Sequence, residues 1–257
     1  MNAIPMQLAA QTWWMTHRQL KALLRQPAVL VITLLQPMVW LFLFGNLFRR
    51  IVDLPGFGTA SYLDYLVPGV VMMNAVSANM WAGMGTIEEI ERGTLNRFLT
   101  TPVSRAAIVN AGVIMQALTT AFQSTVIVLL GWAAGATYPV GGVIVLVLAS
   151  VVLGTVFGAL SQVFGLTLRQ RESIIGLSIF LLLPLTFLST AFMAKSLMPG
   201  WMQAIASANP VNWALEGARG ALAGGTGGLW YGAGLLALAV AMVALSTLTF
   251  RSYQRTV

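Results

Sequence analysis

The chain has 257 residues, 58% of them hydrophobic and only 8% charged, with a net charge of +7. Soluble domains carry roughly 25% charged residues, so these few charges would not cover a water-facing surface and lipid must be the main solvent. Cysteine is absent and His17 is the single histidine, which excludes disulfide frameworks, thiolate metal sites and multi-histidine metal sites. The basic excess fits the cytoplasmic loops of a membrane protein better than a nucleic-acid surface.

The first expected element is an amphipathic helix over residues 7–25. At 100° per residue, Gln7, Gln11, Arg18, Lys21 and Arg25 share one face, and Trp13, Leu20 and Leu24 share the opposite one. This pattern suits a helix lying in the membrane interface. Six apolar runs follow, at about 28–48, 63–85, 105–134, 142–168, 173–194 and 229–250, each long enough to cross the roughly 30 Å hydrocarbon core with some tilt. The first begins near Ala28 and is itself long enough to span, so no cleavable signal peptide is expected. Tyr138, Pro139, Gly141 and Gly142 mark a short turn between the third and fourth runs. Pro37, Pro68 and Pro184 fall inside runs, where membrane helices tolerate them as kinks. The fold class is therefore all-α, with six transmembrane helices in one domain covering residues 1–257.

Six spans put both termini on one side. Ten basic residues lie on that side and four on the other, namely Arg49, Arg50, Lys195 and Arg219. The ten-residue side, including Arg92, Arg97, Arg105, Arg169 and Arg171, is expected to be cytoplasmic. Arg49 and Arg50 run against this rule locally, with Asp53 as a partial offset.

The connection from Gly85 to Pro102 is rich in charge. Thr86 and Glu89 match a capping box, so a helix is expected to start there. Glu88, Glu89 and Glu91 lie in its first turns, where the helix dipole favours acids. Glu88 and Arg92 are spaced i, i+4. Ile87, Ile90 and Phe98 share a face, Gly93 permits a close approach or a break, and Pro102 ends the segment. The residues alone leave two readings open: a solvated loop helix, or a short helix over 86–102 that docks in a groove of a soluble partner.

The segment 196–228 is too long for a tight turn and too polar for a full span. Asn209 before Pro210 reads as a helix cap followed by a first-turn proline. Glu216 and Arg219 can pair at i, i+3, and Trp201 and Trp213 suit the membrane interface. Gly131/Gly135 and Gly154/Gly158 have the spacing of close helix packing. Asn74, Asn79, Gln116, Gln123 and Gln162 are expected to bond between helices, with a polar substrate route as the alternative.

Together these residues resemble a known family. The run Glu91-Arg92-Gly93-Thr94-Leu95, then Arg97, then Leu99-Thr100-Thr101-Pro102-Val103-Ser104-Arg105, is similar to the cytoplasmic signature of ABC-2 type transporter permeases, in particular the daunorubicin/doxorubicin-resistance branch of bacterial drug exporters. The resemblance extends to Phe44-Gly45-Asn46, Val67-Pro68-Gly69-Val70-Val71-Met72-Met73, and Asn209-Pro210-Val211-Asn212-Trp213 with Glu216 and Arg219. It implies that Glu88, Glu89, Glu91, Arg92, Gly93, Thr94, Leu95, Arg97 and Phe98 form a coupling helix against an ATP-binding subunit. It also implies that residues 196–228 are short re-entrant helices near the outer exit. The implied assembly holds two permeases, identical or related, and two ATP-binding subunits in a bacterial plasma membrane.

The chain lacks an ATP site of its own, which would need G-x-x-x-x-G-K-[S/T]. Of the two lysines, only Lys195 precedes a serine, and Ala194 and Ser189 stand where the glycines belong. No enzyme activity and no cofactor are expected in this chain; ATP and magnesium belong to the partner. No expected span carries a central carboxylate, which argues against ion coupling. The sequence reading is thus the permease of an ATP-driven exporter for an apolar or amphipathic drug-like molecule. Its alternatives are a lipid or glycan export permease, an ion-coupled carrier acting alone, and a scaffold that anchors an ATPase.

Overall fold

The computed structural model describes residues 3–53, 61–91, 105–168, 170–225 and 229–256. Among these there is no strand, and ten α-helices follow in order: α1 (Ala3–Leu24), α2 (Pro27–Leu47), α3 (Tyr62–Met80), α4 (Ala82–Glu91), α5 (Arg105–Ala133), α6 (Val140–Leu168), α7 (Arg171–Phe187), α8 (Gly200–Ala208), α9 (Pro210–Leu222) and α10 (Leu229–Thr256). Short 3-10 turns occupy Arg49–Asp53 and Lys195–Leu197.

Three stretches among the described residues are long and apolar enough to cross a membrane: Asn110–Ala133 in α5, Val140–Leu168 (all of α6) and Trp230–Thr249 in α10. Val31–Leu47 in α2 is a shorter apolar helix. The central pole is α6, whose 29 residues rise about 43 Å at roughly 1.5 Å each. It packs against α3, α4, α5, α7, α9 and α10. Small residues make this crowding possible. A Cβ on Gly154 would lie 2.6 Å from the Asn79 amide nitrogen, and one on Gly158 would lie 2.0 Å from the Gln116 carbonyl oxygen. The glycine pair in α6 therefore receives amide side chains from α3 and α5.

The other glycine pair behaves differently from the expected packing motif. Gly131 meets Val67 of α3, but Gly135 sits at φ +102° just beyond the end of α5 with open space around its missing Cβ. It is a helix terminator, because only glycine adopts that backbone cheaply.

Four of the five amides expected to bond between helices do so. Asn74 Nδ2 donates to Gln123 Oε1 at 3.0 Å, and Gln123 Nε2 donates to Thr33 Oγ1 at 3.2 Å, tying α3, α5 and α2. Asn79 donates to Thr120 Oγ1 at 2.8 Å, and Ser246 donates to Gln162 at 3.1 Å. Such bonds average about 0.6 kcal/mol in membrane proteins, so they fix register more than they add stability.

Two expected spans are broken. The run 63–85 turns at Trp81, between α3 and α4, and the charged helix starts at Ala82 rather than Thr86. Thr86 lies inside α4 and caps nothing. The turn lets Gly83 press against α6, where its Cβ would lie 2.1 Å from the Ser161 carbonyl oxygen. The run 173–194 stops at Phe187, because Asn209 Nδ2 captures the Leu185 and Leu188 carbonyls at 2.8 and 3.1 Å. The chain then folds into a turn in which Ser189, Thr190 and Ala191 are buried.

The amphipathic N-terminal helix forms as α1 and packs along α5. Its buried residues Thr12 and Thr16 make a stripe that the two-faced reading did not anticipate, while Trp13, Trp14 and Leu24 stay exposed.

Asp64 fixes one end of the bundle. Its Oδ1 accepts the Thr137 backbone N–H at 2.8 Å, and the Tyr138 hydroxyl lies 3.1 and 3.0 Å from the Leu63 and Asp64 carbonyls. The start of α3 and the α5–α6 turn therefore share that end.

Gly69 and Gly176 give opposite expectations. A Cβ on Gly69 would lie 2.3 Å from the Ala191 carbonyl oxygen, whereas Gly176 has nothing within 4 Å. Gly69→Ala should destabilise the detergent-solubilised protein by about 1–3 kcal/mol. Gly176→Ala should be neutral or stabilise by up to about 1 kcal/mol. Thermal unfolding of both variants checks this, and equal melting temperatures would contradict the packing.

Candidate functional site

The acidic helix α4 ends at Glu91, and Glu91 meets the first residue of α7. Arg171 Nε donates to Glu91 Oε1 at 3.3 Å, and Arg171 Nη2 donates to Glu91 Oε2 in a short ion pair. Hydrogen bonding to Glu91, reinforced by its charge, holds the Arg171 guanidinium above its ordinary value. Arg171 is accordingly a fixed cation in this pair. Ile87 is buried, and Glu88 is half-buried beside it. The backbone of Glu89 lies within α4. Arg92, Gly93, Thr94, Leu95, Arg97 and Phe98, the rest of the expected coupling segment, fall outside the described residues.

Glu91 and Arg171 are 80 residues apart. The sequence counted Arg171 among the basic residues of one side and placed Glu91 in the charged connection, but offered no signal that they pair.

A cleft of about 220 Å³ opens between α2, α3 and α7. Gln36 and Trp40 come from α2, Asn74 and Ser77 from α3, and Thr186 and Phe187 from α7. Trp40, Phe44 and Phe192 pack ring to ring beside it, with centroids 4.7 to 5.5 Å apart. Aromatic walls with a few amides and hydroxyls suit an amphipathic guest. Asn74 thus belongs to both expected roles, since it bonds to Gln123 and also lines this cleft. Trp40 and Gln36 were not singled out from sequence.

At the Asp64 end, α9 packs against α3, α6 and α10. Its start is as expected: Asn209 caps it by accepting the Val211 N–H at 2.9 Å, and Pro210 follows. Trp213 Nε1 donates to the Ser207 carbonyl at 2.7 Å, which joins α9 to α8. The expected Glu216–Arg219 pair does not form; no salt bridge joins these two half-buried residues.

Arg219 reaches across to α3 and the turn after α7 instead. Nη1 donates to the Thr190 carbonyl at 2.9 Å and to the Tyr65 hydroxyl at 3.1 Å, and Nη2 donates to the Tyr65 carbonyl at 3.0 Å. The guanidinium carbon lies 3.7 Å above the Tyr65 ring centre, a cation–π geometry. Tyr65 donates its hydroxyl to the Thr190 carbonyl at 2.7 Å, and Thr190 Oγ1 lies 2.6 Å from Asn212 Oδ1. A planar fork can satisfy several fixed carbonyls at once, which a single carboxylate one turn away does not offer.

Arg219→Ala should therefore cost about 1–3 kcal/mol by stranding these acceptors. Arg219→Lys should recover only part of the loss, because a point charge does not span both Tyr65 and Thr190. Thermal unfolding in detergent measures both. Full recovery by lysine would show that charge alone matters at this position.

Comparison with known proteins bears on this arrangement. The sequence pattern of the ABC-2 type transporter family matches residues 10–223. The chain is 31% identical, over 97% of its length and 89% of the relative's, to the daunorubicin resistance ABC transporter permease protein DrrB1 of Streptomyces coeruleorubidus. It is 33% identical to the transport permease ycf38 of Porphyra purpurea, over 76% of this chain and 68% of that one. It is 26% identical to the inner membrane transport permease YadH of Escherichia coli (strain K12), over 75% of this chain and 73% of that one. A family match of this extent, on an all-helical chain with membrane-length apolar helices, establishes that this protein belongs to the ABC-2 type transporter permeases.

Proposed function

We propose that this chain is the membrane subunit of an ATP-driven exporter in a bacterial plasma membrane, assembled as two permeases with two ATP-binding subunits. In this reading α2, α3 with α4, α5, α6, α7 and α10 make six crossings. The arrangement of the two bundle ends supports it. Asp64 and Thr137 meet at one end, and Glu91 and Arg171 meet at the other, as alternating crossings require. With six crossings, ten of the fourteen basic residues, Arg18, Lys21, Arg25 and Arg171 among them, fall to the Glu91 end. That end is the cytoplasmic one by charge asymmetry, and both termini lie there.

Segment 86–102, whose first residues through Glu91 lie in α4, then acts as the coupling element. Glu88, Glu89, Glu91, Arg92, Gly93, Thr94, Leu95, Arg97 and Phe98 receive movement from the ATP-binding subunit. ATP and magnesium are bound by that subunit. Helix α1 lies in the inner interface with Trp13 and Trp14 toward lipid, since both are exposed. Helices α8 and α9 form the re-entrant pair at the outer side, where Trp201 and Ile205 are exposed.

The observation that carries the cargo assignment is the cleft of Trp40, Phe187, Gln36 and Asn74. It offers aromatic surface and amides but no charged group, which fits an amphipathic, drug-like molecule. A relative named for daunorubicin resistance supports the same class. Exposed Leu35 and Val39 on α2 and Ile179 and Leu183 on α7 flank the cleft, and a second permease would cover them.

Two outcomes are expected of the permease–ATPase complex reconstituted in liposomes. ATP should drive daunorubicin across, and Trp40→Ala should raise the transport KM about three- to tenfold, the equivalent of about 1 kcal/mol of lost aromatic contact. Replacing residues 91–94 with unrelated polar residues should abolish co-purification of the ATP-binding subunit or its coupling to transport. A labelled phospholipid moved in place of the drug would favour lipid export. Gradient-driven uptake by the chain alone would establish an ion-coupled carrier.

A further inference from the structure

Helix α4 is tied down at both ends, and neither tie is needed to make a helix. At its start, Ser161 of α6 bridges the turn at Trp81: its hydroxyl donates to the Met80 carbonyl and accepts the Gly83 N–H at 2.9 Å. Ser178 of α7 lies 3.4 Å from the same Met80 carbonyl. Gly83 and Gly165 bring the two backbones into contact, and a Cβ on Gly165 would lie 2.6 Å from the Gly83 carbonyl oxygen. At its other end, both carboxylate oxygens of Glu91 are engaged by Arg171. The ten residues of α4 span about 15 Å between these ties.

We propose that Ser161 and Arg171 are positioning residues for energy transmission, which with Gly83 and Glu91 lock α4, the C-terminal half of α6 and the N-terminal half of α7 into one rigid block. This rests on the coupling reading above and refines it: Glu91 holds the coupling element to α7 rather than serving as a contact for the ATP-binding subunit. Without the ties, a push on the segment beyond α4 would bend the chain at Trp81 and be lost there. With them, the push turns α6 and α7 together. Helix α7 carries Thr186 and Phe187 to the cleft, so the movement arrives at the cleft wall. The Glu91–Arg171 pair is about half exposed on both sides. Exposed pairs contribute little to stability, so breaking this one leaves the fold intact and its conservation of geometry is the property under test.

The chain has no cysteine, so engineered cysteines can carry spin labels on the permease–ATPase complex without background. Gly85 on α4, Thr167 on α6 and Gly176 on α7 are exposed, and neither glycine has an atom within 4 Å of its Cβ position. The Gly85–Gly176 and Gly85–Thr167 label distances should stay constant when ATP and vanadate are added. With Arg171→Glu, the Gly85–Gly176 distance should become nucleotide-dependent, shifting by about 3 Å, half a helical turn. Arg171→Lys should keep the native behaviour. Ser161→Ala should do to the Gly85–Thr167 distance what Arg171→Glu does to the other. If the native distances already change with nucleotide, or if Arg171→Glu changes nothing, α4 is not locked and the proposal falls while the coupling reading stands. If no ATP-binding subunit associates with the chain, the coupling reading itself fails and takes this proposal with it.

Discussion

At Gly83 and Gly165 the backbones of α4 and α6 touch, with room for no side chain between them. The rest of the bundle follows from contacts of this kind along α6. Lipid tails are as apolar as leucine, so burying leucine against another helix gains little in a membrane. Dispersion between close backbones and a few interhelical hydrogen bonds must hold the helices instead. Gly154 and Gly158 admit the Asn79 and Gln116 amides, and Ser161 meets the open backbone at Met80 and Gly83. The apolar residues fill the space that these contacts define.

The two ends of the bundle are held by different physics. At the Asp64 end, Arg219, Tyr65, Thr190 and Asn212 form a largely buried network, and Asn209 pins α7 to α9. Buried bonds of this sort are expensive to break, because each stranded group would lose its partner without gaining water. At the other end, the Glu91–Arg171 pair is exposed to solvent and contributes orientation more than stability. The bundle is thus held by buried bonds at one end and by a solvent-facing pair at the other, with the aromatic cleft between α2, α3 and α7 lying between them.

Much of the fold was legible because it is encoded locally. Tyr138 and Pro139 mark the α5–α6 turn, Asn209 and Pro210 start α9, and long, predominantly apolar runs make α5, α6 and α10. Each of these depends on residues within a few positions of one another. The breaks at Trp81 and Phe187 were not legible, since the apolar pattern runs through both. They are imposed by Ser161 and Gly165 in one case and by Asn209 in the other. The capping box at Thr86 was a sound local signal that lost to the contact of Gly83 with α6, which starts the helix four residues earlier.

The amino-acid order by itself determined that the chain lives in lipid, that it is helical, and that its charged connection carries a family signature. Composition and spacing suffice for this because partition into a membrane and helix formation depend on average polarity and near neighbours. Only the tertiary structure decided that Arg219 turns from Glu216 to Tyr65 and Thr190, and that Glu91 reaches Arg171. Those partners lie 154, 29 and 80 residues away. Which of them a guanidinium meets depends on how glycines let whole helices approach, a quantity that no stretch of sequence contains alone.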